Sequence, residues 1–295
     1  MTCSEILYDY TKPPIYGWTF FKLLALLDPP STSTASQPPR FELVPGPRLR
    51  EIYHSVAKFT RYWFEHRATS SSALPYYSHG NDSGWDNSTA YDDQTVCISP
   101  DLAGFLVLQC DLLAKLGAYL SASDSDEWAA LRDRTSAALV SELWDASAQA
   151  FAFKDAYSGR TWTGTTLLQF MPLVAAPFLP PEIVRACVAK LEPYLSAWGL
   201  ATERLDSKHY ESDGYWRGPI WAPPTLILES ALRRAGHVDV ADRIATSFVK
   251  LCEHGGFAEN YDALTGEGNR DLSYTWSASA YLTLRCEMER RGVIR

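Results

Sequence analysis

The sequence has little cysteine and histidine, and neither residue is spaced as in a metal site. Among 295 residues there are 6 cysteines and 6 histidines. No two cysteines have C-x-x-C spacing and no two histidines have H-x-x-x-H spacing, which are typical of zinc sites. We therefore expect no metal and no other cofactor. We also expect reduced thiols, since a chain of this length needs no disulfide scaffold.

An excess of basic residues and long apolar runs are absent as well. Lys and Arg number 27 against 35 Asp and Glu, which gives a formal net charge of −8. Such a chain repels a phosphate backbone on average, so a nucleic acid partner is not expected. No stretch contains 18 uninterrupted apolar residues, and we expect no membrane span. The apolar run 20–27 lacks a preceding basic segment, unlike a signal peptide, so a cytoplasmic location is expected.

Apolar residues instead recur at helical spacing through most of the chain. This pattern predicts an all-α fold in a single domain over residues 1–295. Nine helices are predicted, over 18–27, 49–66, 100–116, 124–144, 165–173, 182–195, 224–235, 238–252 and 274–290. Strand signals are slight. A small hairpin is predicted where 151–153 and 161–163 flank the Ser158-Gly159 turn.

Three long loops, 67–99, 196–222 and 254–273, interrupt the helices and are expected to converge at one end of the fold. They are rich in Asp, Asn and Gly, and they contain Trp85, Trp198, Trp216 and Trp221. Sugars stack their C–H faces on aromatic rings and bond their hydroxyls to polar side chains. The loops therefore indicate a carbohydrate site, although each Trp could equally belong to the core. Cleavage of a glycosidic bond would require two carboxyl groups as well.

Four motifs give the sequence a family resemblance. They are PPIYGW at 13–18, SGWDNS at 83–88, YWRGPIW at 215–221 and FAENYD at 257–262. In these motifs and their order the chain resembles the catalytic domain of glycoside hydrolase family 63 and its mannosylglycerate-hydrolase-like relatives. Trehalases of family 37 are more distantly similar. The resemblance implies an (α/α)6 toroid, in which two rings of six helices are nested. It also implies hydrolysis of α-glucosidic or α-mannosidic bonds with inversion.

The resemblance assigns roles to individual residues. Asp86 matches the general acid and Glu259 matches the general base. Residues expected to bind the substrate, an oligosaccharide or a small glycoside, are Trp18, Trp85, Asn87, Trp216, Arg217, Trp221 and Tyr261. Without the motifs, Asp86 would be read as a turn cap and Glu259 as a member of a surface salt bridge.

The sequence departs from the family pattern in two places. Many relatives have Ser-Pro-Arg after the Asp-Asn pair, where this chain has Ser88-Thr89-Ala90. A complete toroid has twelve helices and a Trp-Asp-Ser type motif before the first one predicted here. We therefore expect a toroid that is incomplete at the N-terminus, and an oligomer would cover the apolar surface this exposes. The alternative function is a catalytically inactive carbohydrate-binding relative, or a truncated fragment of such an enzyme.

Two other enzyme classes fit less well. A terpene synthase would hold magnesium through Asp-Asp-x-x-Asp, but residue 96 is Val where the last Asp would stand. A polysaccharide lyase would need a Tyr or His base beside an arginine. His209 and Tyr210, close to Arg217 in the sequence, are the candidates for that role.

Overall fold

Helices make up most of the structure, a computed structural model that describes residues 11–27, 39–94 and 96–294. Within these ranges there are nine α-helices: α1 Tyr16–Leu27, α2 Gly46–His66, α3 Gly80–Ser83, α4 Pro100–Leu120, α5 Ser125–Leu143, α6 Pro181–Ala189, α7 Ala222–Arg234, α8 Val238–Gly255 and α9 Thr275–Arg290. A 3-10 helical segment spans Leu167–Phe178, and 3-10 turns lie at Phe41–Leu43, Thr89–Tyr91 and Glu192–Tyr194. The all-α prediction is confirmed.

Local chemistry explains where the helices differ from those predicted. The helix predicted over 165–173 is the 3-10 segment, which contains Pro172 and Pro177. The helix predicted over 182–195 ends at Ala189, because Pro193 has no N–H to continue the helical hydrogen bonds. Helix α3 was not predicted, since four residues are too few to show a period. It ends at Gly84, whose φ of 77° lies in the left-handed region.

The strands are two or three residues long and pair antiparallel. They are β1 Cys97–Ile98, β2 Trp144–Asp145, β3 Ala150–Phe151, β4 Phe153–Asp155, β5 Thr161–Trp162, β6 Asn260–Tyr261 and β7 Gly268–Asn269. The predicted hairpin is β4–β5, with Phe153 opposite Trp162. β1 adds a third strand on the other side of β4. The pairs β2–β3 and β6–β7 stand apart.

Helix α4 lies at the centre and packs against α1, α2, α5 and the 3-10 segment. It is buried over most of its length, which explains why apolar residues occur all around it. By length and composition alone, α4 is also long and apolar enough to cross a membrane, and it is the one such helix in the described ranges. The criterion of 18 uninterrupted apolar residues did not identify α4 in the sequence. Its burial among other helices accounts for this composition.

The first and last helices of the described structure are joined by an ion pair. Lys22 of α1 lies 2.6 Å from Glu287 of α9, and both side chains are mostly buried. Glu287 also faces Arg291, which in turn approaches the fully buried Glu229 of α7. Because these charges are shielded from water, they attract each other more strongly than surface pairs do. They connect α1, α9 and α7.

Close packing of α1 on α4 predicts a specific sensitivity. A Cβ at Gly17 would stand 2.7 Å from the Cα of Gln109, which is backbone and cannot move aside locally. We expect Gly17→Ala to lower the free energy of unfolding by about 1–3 kcal/mol, as overpacking of a core does. Gly46→Ala is the control, because a Cβ there meets nothing within 4 Å. Urea denaturation measures both, and equal midpoints for the two variants would contradict this packing.

Candidate active site

The three long loops meet, as predicted, and loop 196–222 bridges the other two. The Asn87 side chain donates to the backbone O of Gly214 at 3.0 Å and accepts from the N–H of Trp216 at 3.0 Å. On the other side, Ile220 exchanges backbone hydrogen bonds of 2.8 and 3.1 Å with Tyr261. The segment between Gly214 and Ile220 is therefore held at both ends. It brings the SGWDNS and FAENYD motifs to one place.

A fully buried carboxylate fixes the turn that carries Asp86. Asp82 accepts from the backbone N–H of Ser78 at 2.8 Å and from that of Thr11 at 3.0 Å. It also pairs with Arg67 at 3.3 Å. A buried carboxylate is stable only with such partners, and these connect three separate segments. Nothing in the local sequence pattern distinguishes Asp82 from a solvent-exposed loop residue, so its role was not predicted.

A second buried carboxyl group supports the far end of the same loop. Burial raises the pKa of Asp101 to about 6, although the hydrogen bonds that it accepts from Ser99 and Tyr77 act to lower this pKa. The Tyr77 hydroxyl donates to it at 2.9 Å. Tyr77 also exchanges backbone hydrogen bonds with Cys97, which closes the part of loop 67–99 that carries Asp86. Asp101 opens α4 in sequence, and its burial was not evident there.

Asp86 and Glu259 make few contacts with the described residues around them. One carboxylate oxygen of Asp86, Oδ1, is enclosed without a hydrogen-bond partner, and the side chain as a whole is 38% exposed. Lys12 places its ammonium 3.7 Å from that oxygen. Glu259 is half-buried, and its side chain forms no ion pair with the described part of the chain. Among the described residues, Asp86 therefore caps no turn and Glu259 forms no surface salt bridge, the structural roles that were their respective alternatives to catalysis.

Both carboxylates lie near the hydroxyl of Tyr215. Burial raises the pKa of Tyr215, and the negative charges of Asp86 and Glu259 are the next largest causes. The pKa of Tyr274 is likewise raised by burial and then by Glu259. A charge acts in this way only over a short distance. Asp86 and Glu259 therefore both lie within electrostatic reach of Tyr215, which belongs to the loop segment that joins the elements carrying them.

Tyr215 is held in an unusual backbone conformation. Its φ is 65°, in the left-handed region that costs a non-glycine residue energy. Three contacts hold it there. The indole N–H of Trp221 donates to its backbone O at 2.8 Å, its ring packs edge-on against Trp221, and the guanidinium of Arg270 lies 5.0 Å over its ring. Tyr215 belongs to the YWRGPIW motif, but no role was predicted for it.

Three predicted sugar-binding tryptophans form a buried stack. Trp216 stacks on Trp221 with ring centroids 4.2 Å apart and 6° between planes, and Trp85 lies 4.8 Å from Trp216. Their exposed fractions are 6% for Trp85, 3% for Trp216 and 1% for Trp221. Trp216 and Trp221 were predicted to line a cleft and bind the substrate, and the structure shows that very little of either ring is exposed. Their ring faces are occupied by one another, which stabilises the floor of the site.

Tyr261 and Trp18 also occupy positions away from an open surface. Tyr261 is fully buried, and its hydroxyl donates to the backbone O of Gly256 at 2.7 Å. It is part of β6, whose pairing with Ile220 directs the ring into the core beneath α8 and α9. Trp18 is half-buried against the main core. A direct contact of Tyr261 with substrate, expected from the motif, does not fit this placement.

An exposed aromatic side chain beside the stack was missed. Trp276 is 48% exposed and lies 6.2 Å from Trp221, between ring centroids. Tyr274 packs edge-on against it at 5.4 Å. Tyr274 and Trp276 lie at the beginning of α9, and the sequence pattern predicted only that the last helix starts there. Of the described tryptophans near the two carboxylates, Trp276 has the open face that a sugar platform requires.

Arg217 is used to join the loops. Its Nε donates to the backbone O of Asn87 at 2.8 Å, and its guanidinium pairs with Asp92. Its guanidinium is thus engaged by the loops themselves, whereas the motif predicted that it binds the substrate. Asn87, expected to bind substrate, is likewise engaged in the loop contacts described above.

The structure explains the departure at Ser88-Thr89-Ala90. Thr89 donates to the fully buried Glu203 at 2.8 Å. Ala90 is buried, and its backbone O accepts from the indole of Trp162 at 3.2 Å. A long cationic side chain would not fit at Ala90. The Thr89–Glu203 contact instead ties this part of the loop to 196–222.

The remaining candidates do not form a competing site. The Tyr210 hydroxyl donates to Asp262 at 2.9 Å, which argues against its use as a lyase base. His209 lines an open cleft of about 490 Å³ with Thr163, Arg204 and Lys208, a cleft that neither the two carboxylates nor Tyr215 line. Across the described ranges, no group of three or more His, Cys, Asp or Glu is placed to hold a metal ion.

Comparison with known proteins identifies relatives. The model of the mannosylglycerate hydrolase MGH1-like glycoside hydrolase domain matches residues 11–277. The mannosylglycerate hydrolase MGH1 of Selaginella moellendorffii is 30% identical over 176 residues, 58% of this chain and 35% of that protein. The glucosylglycerate hydrolase of Mycolicibacterium hassiacum is 26% identical over 214 residues, 65% of this chain and 46% of that protein. The matched segments thus span less than half the length of either relative.

A solved structure shows the same fold. The family 63 mannosylglycerate hydrolase from Thermus thermophilus, in complex with Tris and D-glycerate, superposes with a TM-score of 0.79 at 21% identity. The superposition covers 95% of this chain and 78% of that one. It confirms the predicted α/α toroid.

The buried stack predicts that one tryptophan acts mainly through stability. We expect Trp221→Ala to lower the free energy of unfolding by about 3–5 kcal/mol, as loss of a large buried ring does. Trp276→Ala is the matched control, since that ring is half exposed. It should cost far less stability and should weaken sugar binding instead. Thermal unfolding and calorimetric titration with mannose or glucose measure the two effects. Unchanged stability of Trp221→Ala would show that its ring is not part of the core.

Proposed function

Because the chain belongs to the mannosylglycerate hydrolase MGH1-like glycoside hydrolase family, we propose that it hydrolyses an α-mannosidic or α-glucosidic bond with inversion. The observation that carries the proposal is that loop 196–222 holds the Asp86 and Glu259 loops together, through hydrogen bonds of Asn87 with Gly214 and Trp216 and of Ile220 with Tyr261. Two carboxyl groups in one site are the minimum that hydrolysis of a glycoside needs. The names of the relatives make glycosides of glyceric acid the first substrates to test.

In the proposed reaction, Asp86 gives its proton to the glycosidic oxygen as the bond to the anomeric carbon breaks. Glu259 takes a proton from a water molecule, whose oxygen attacks the anomeric carbon from the opposite face. The products are a sugar of inverted configuration and the free alcohol, and the proton on Glu259 returns to Asp86 through solvent. For this outcome the carboxyl groups should stand roughly 6.5–9.5 Å apart, which leaves room for the water.

The surrounding residues support these two roles by position. The Asn87 and Arg217 contacts hold the loop of Asp86 against the aromatic stack. The backbone N–H of Glu259 donates to the backbone O of Asp271 at 2.6 Å, which joins its loop to the segment before α9. Trp276 offers the exposed ring on which the sugar would stack. Precise placement of both carboxyl groups is what converts binding into catalysis.

Two substitutions that keep side-chain shape test the roles. We expect Asp86→Asn and Glu259→Gln each to lower kcat by about 10²–10⁴-fold, since each removes one proton-transfer group. Both variants should unfold at the wild-type temperature. Hydrolysis is followed with the α-mannoside and the α-glucoside of glyceric acid.

Matched controls are available on the same loops. Asp93 and Glu267 are exposed carboxylates of loops 67–99 and 254–273, so Asp93→Asn and Glu267→Gln should leave kcat within about 3-fold. Equal losses in controls and test variants would contradict the assignment. Sugar binding by the wild-type chain without any turnover would instead favour the carbohydrate-binding alternative.

A further inference from the structure

A lysine outside the family motifs lies beside the proposed acid. The Lys12 ammonium is 3.7 Å from Asp86 Oδ1 and donates to the backbone O of Asn81 at 2.5 Å. Its side chain is 63% exposed. An ammonium has three donors, and these two contacts leave at least one directed toward solvent. Lys12 is therefore a cation that retains capacity to bind a further group.

The backbone of Lys12 is fixed in place from both sides. The N–H of the preceding Thr11 donates to the fully buried Asp82 at 3.0 Å. Pro13 and Pro14 follow, and their rings restrict the chain before α1 begins. Asp82 also holds the turn that carries Asp86. The same buried carboxylate thus sets the positions of the lysine and of the acid relative to each other.

The nearby arginines are already neutralised. Arg217 pairs with Asp92, and Arg270 pairs with Asp213 at 2.9 Å. The other charged groups of the site, Asp86 and Glu259, are acidic. The partner of Lys12 is Asp86 itself, which carries no charge while it holds the proton that it donates as the acid, so in that state Lys12 supplies an unneutralised positive charge at the Asp86 side of the site. An anionic group arriving there would meet an ammonium, whereas at Glu259 it would meet a like charge.

The reaction places the leaving group on the Asp86 side. A general acid protonates the glycosidic oxygen, which departs with the aglycone, so groups adjacent to Asp86 face the aglycone and not the sugar. We propose that Lys12 binds an anionic group, a carboxylate, on the leaving group and so selects acidic aglycones over neutral ones. This inference rests on the proposed function, because it takes Asp86 as the acid. It adds a specificity-determining residue that lies outside the substrate-binding set.

Two substrates that differ only in charge test the proposal. They are the glyceric acid glycoside and the glycerol glycoside of whichever sugar the wild type cleaves. We expect the wild type to prefer the acid at least 10-fold in kcat/KM. Lys12→Met keeps the side-chain length but removes the charge, and it should lose most of that preference. We expect it to lower kcat/KM for the glyceric acid glycoside at least 10-fold and to change kcat/KM for the glycerol glycoside less than 3-fold. Lys12→Arg should retain most of the preference. Lys250→Met, an exposed lysine of α8, is the matched control.

Some results overturn the inference. If Lys12→Met slows both substrates equally, the lysine has a structural role. If Lys12→Met keeps the wild-type preference for the glyceric acid glycoside, another residue binds the charged group of the aglycone. Should the wild type cleave neither glycoside, the proposed function fails on its own. Calorimetric binding of D-glycerate in the presence of the free sugar then decides about Lys12. If Lys12→Met binds D-glycerate at least 10-fold more weakly than the wild type does, the inference about Lys12 is supported. Equal affinity of the two proteins, or no binding by either, overturns it.

Discussion

The candidate site depends on the contacts that Asn87 makes with loop 196–222. One amide side chain donates to Gly214 and accepts from Trp216, and Arg217 returns a hydrogen bond to its backbone. Each bond contributes only about 0.5–1.5 kcal/mol. Together they determine the position of Asp86, the residue immediately before Asn87, relative to the aromatic stack. The short loop segment that makes these contacts is also paired with Tyr261, so the same strip of backbone positions Glu259.

Burial of the tryptophans follows from this arrangement. A loop that must carry a strained Tyr215 needs strong support beneath it, and the stacked rings of Trp216 and Trp221 provide that support. Because their faces contact each other, they contribute rigidity, while Trp276 at the beginning of α9 keeps an open face. Rigid loops suit a reaction in which two carboxyl groups must stay at a set separation.

The sequence predicted the fold well because helical periodicity is a local property. The long helices α2, α4, α5, α7, α8 and α9 and the β4–β5 hairpin were all predicted, with boundaries within four residues of those observed. The motifs placed Asp86 and Glu259 in one site. The burial of individual side chains in the site could not be predicted from the sequence. Whether Tyr261 or Trp276 faces solvent depends on long-range pairing, here that of Ile220 with β6, and no local pattern records it. Asp82 and Lys12 were missed for the same reason, since their importance arises from contacts with distant segments.

Asp86 and Glu259 are proposed to act as acid and base on opposite faces of the glycosidic bond. The stereochemistry of the first product tests this most directly. Hydrolysis of the α-mannoside or α-glucoside of glyceric acid should release the β-anomer of the sugar, which NMR detects before mutarotation equilibrates it. Initial release of the α-anomer would mean retention, a covalent intermediate and a nucleophile in place of the base, and it would contradict the account.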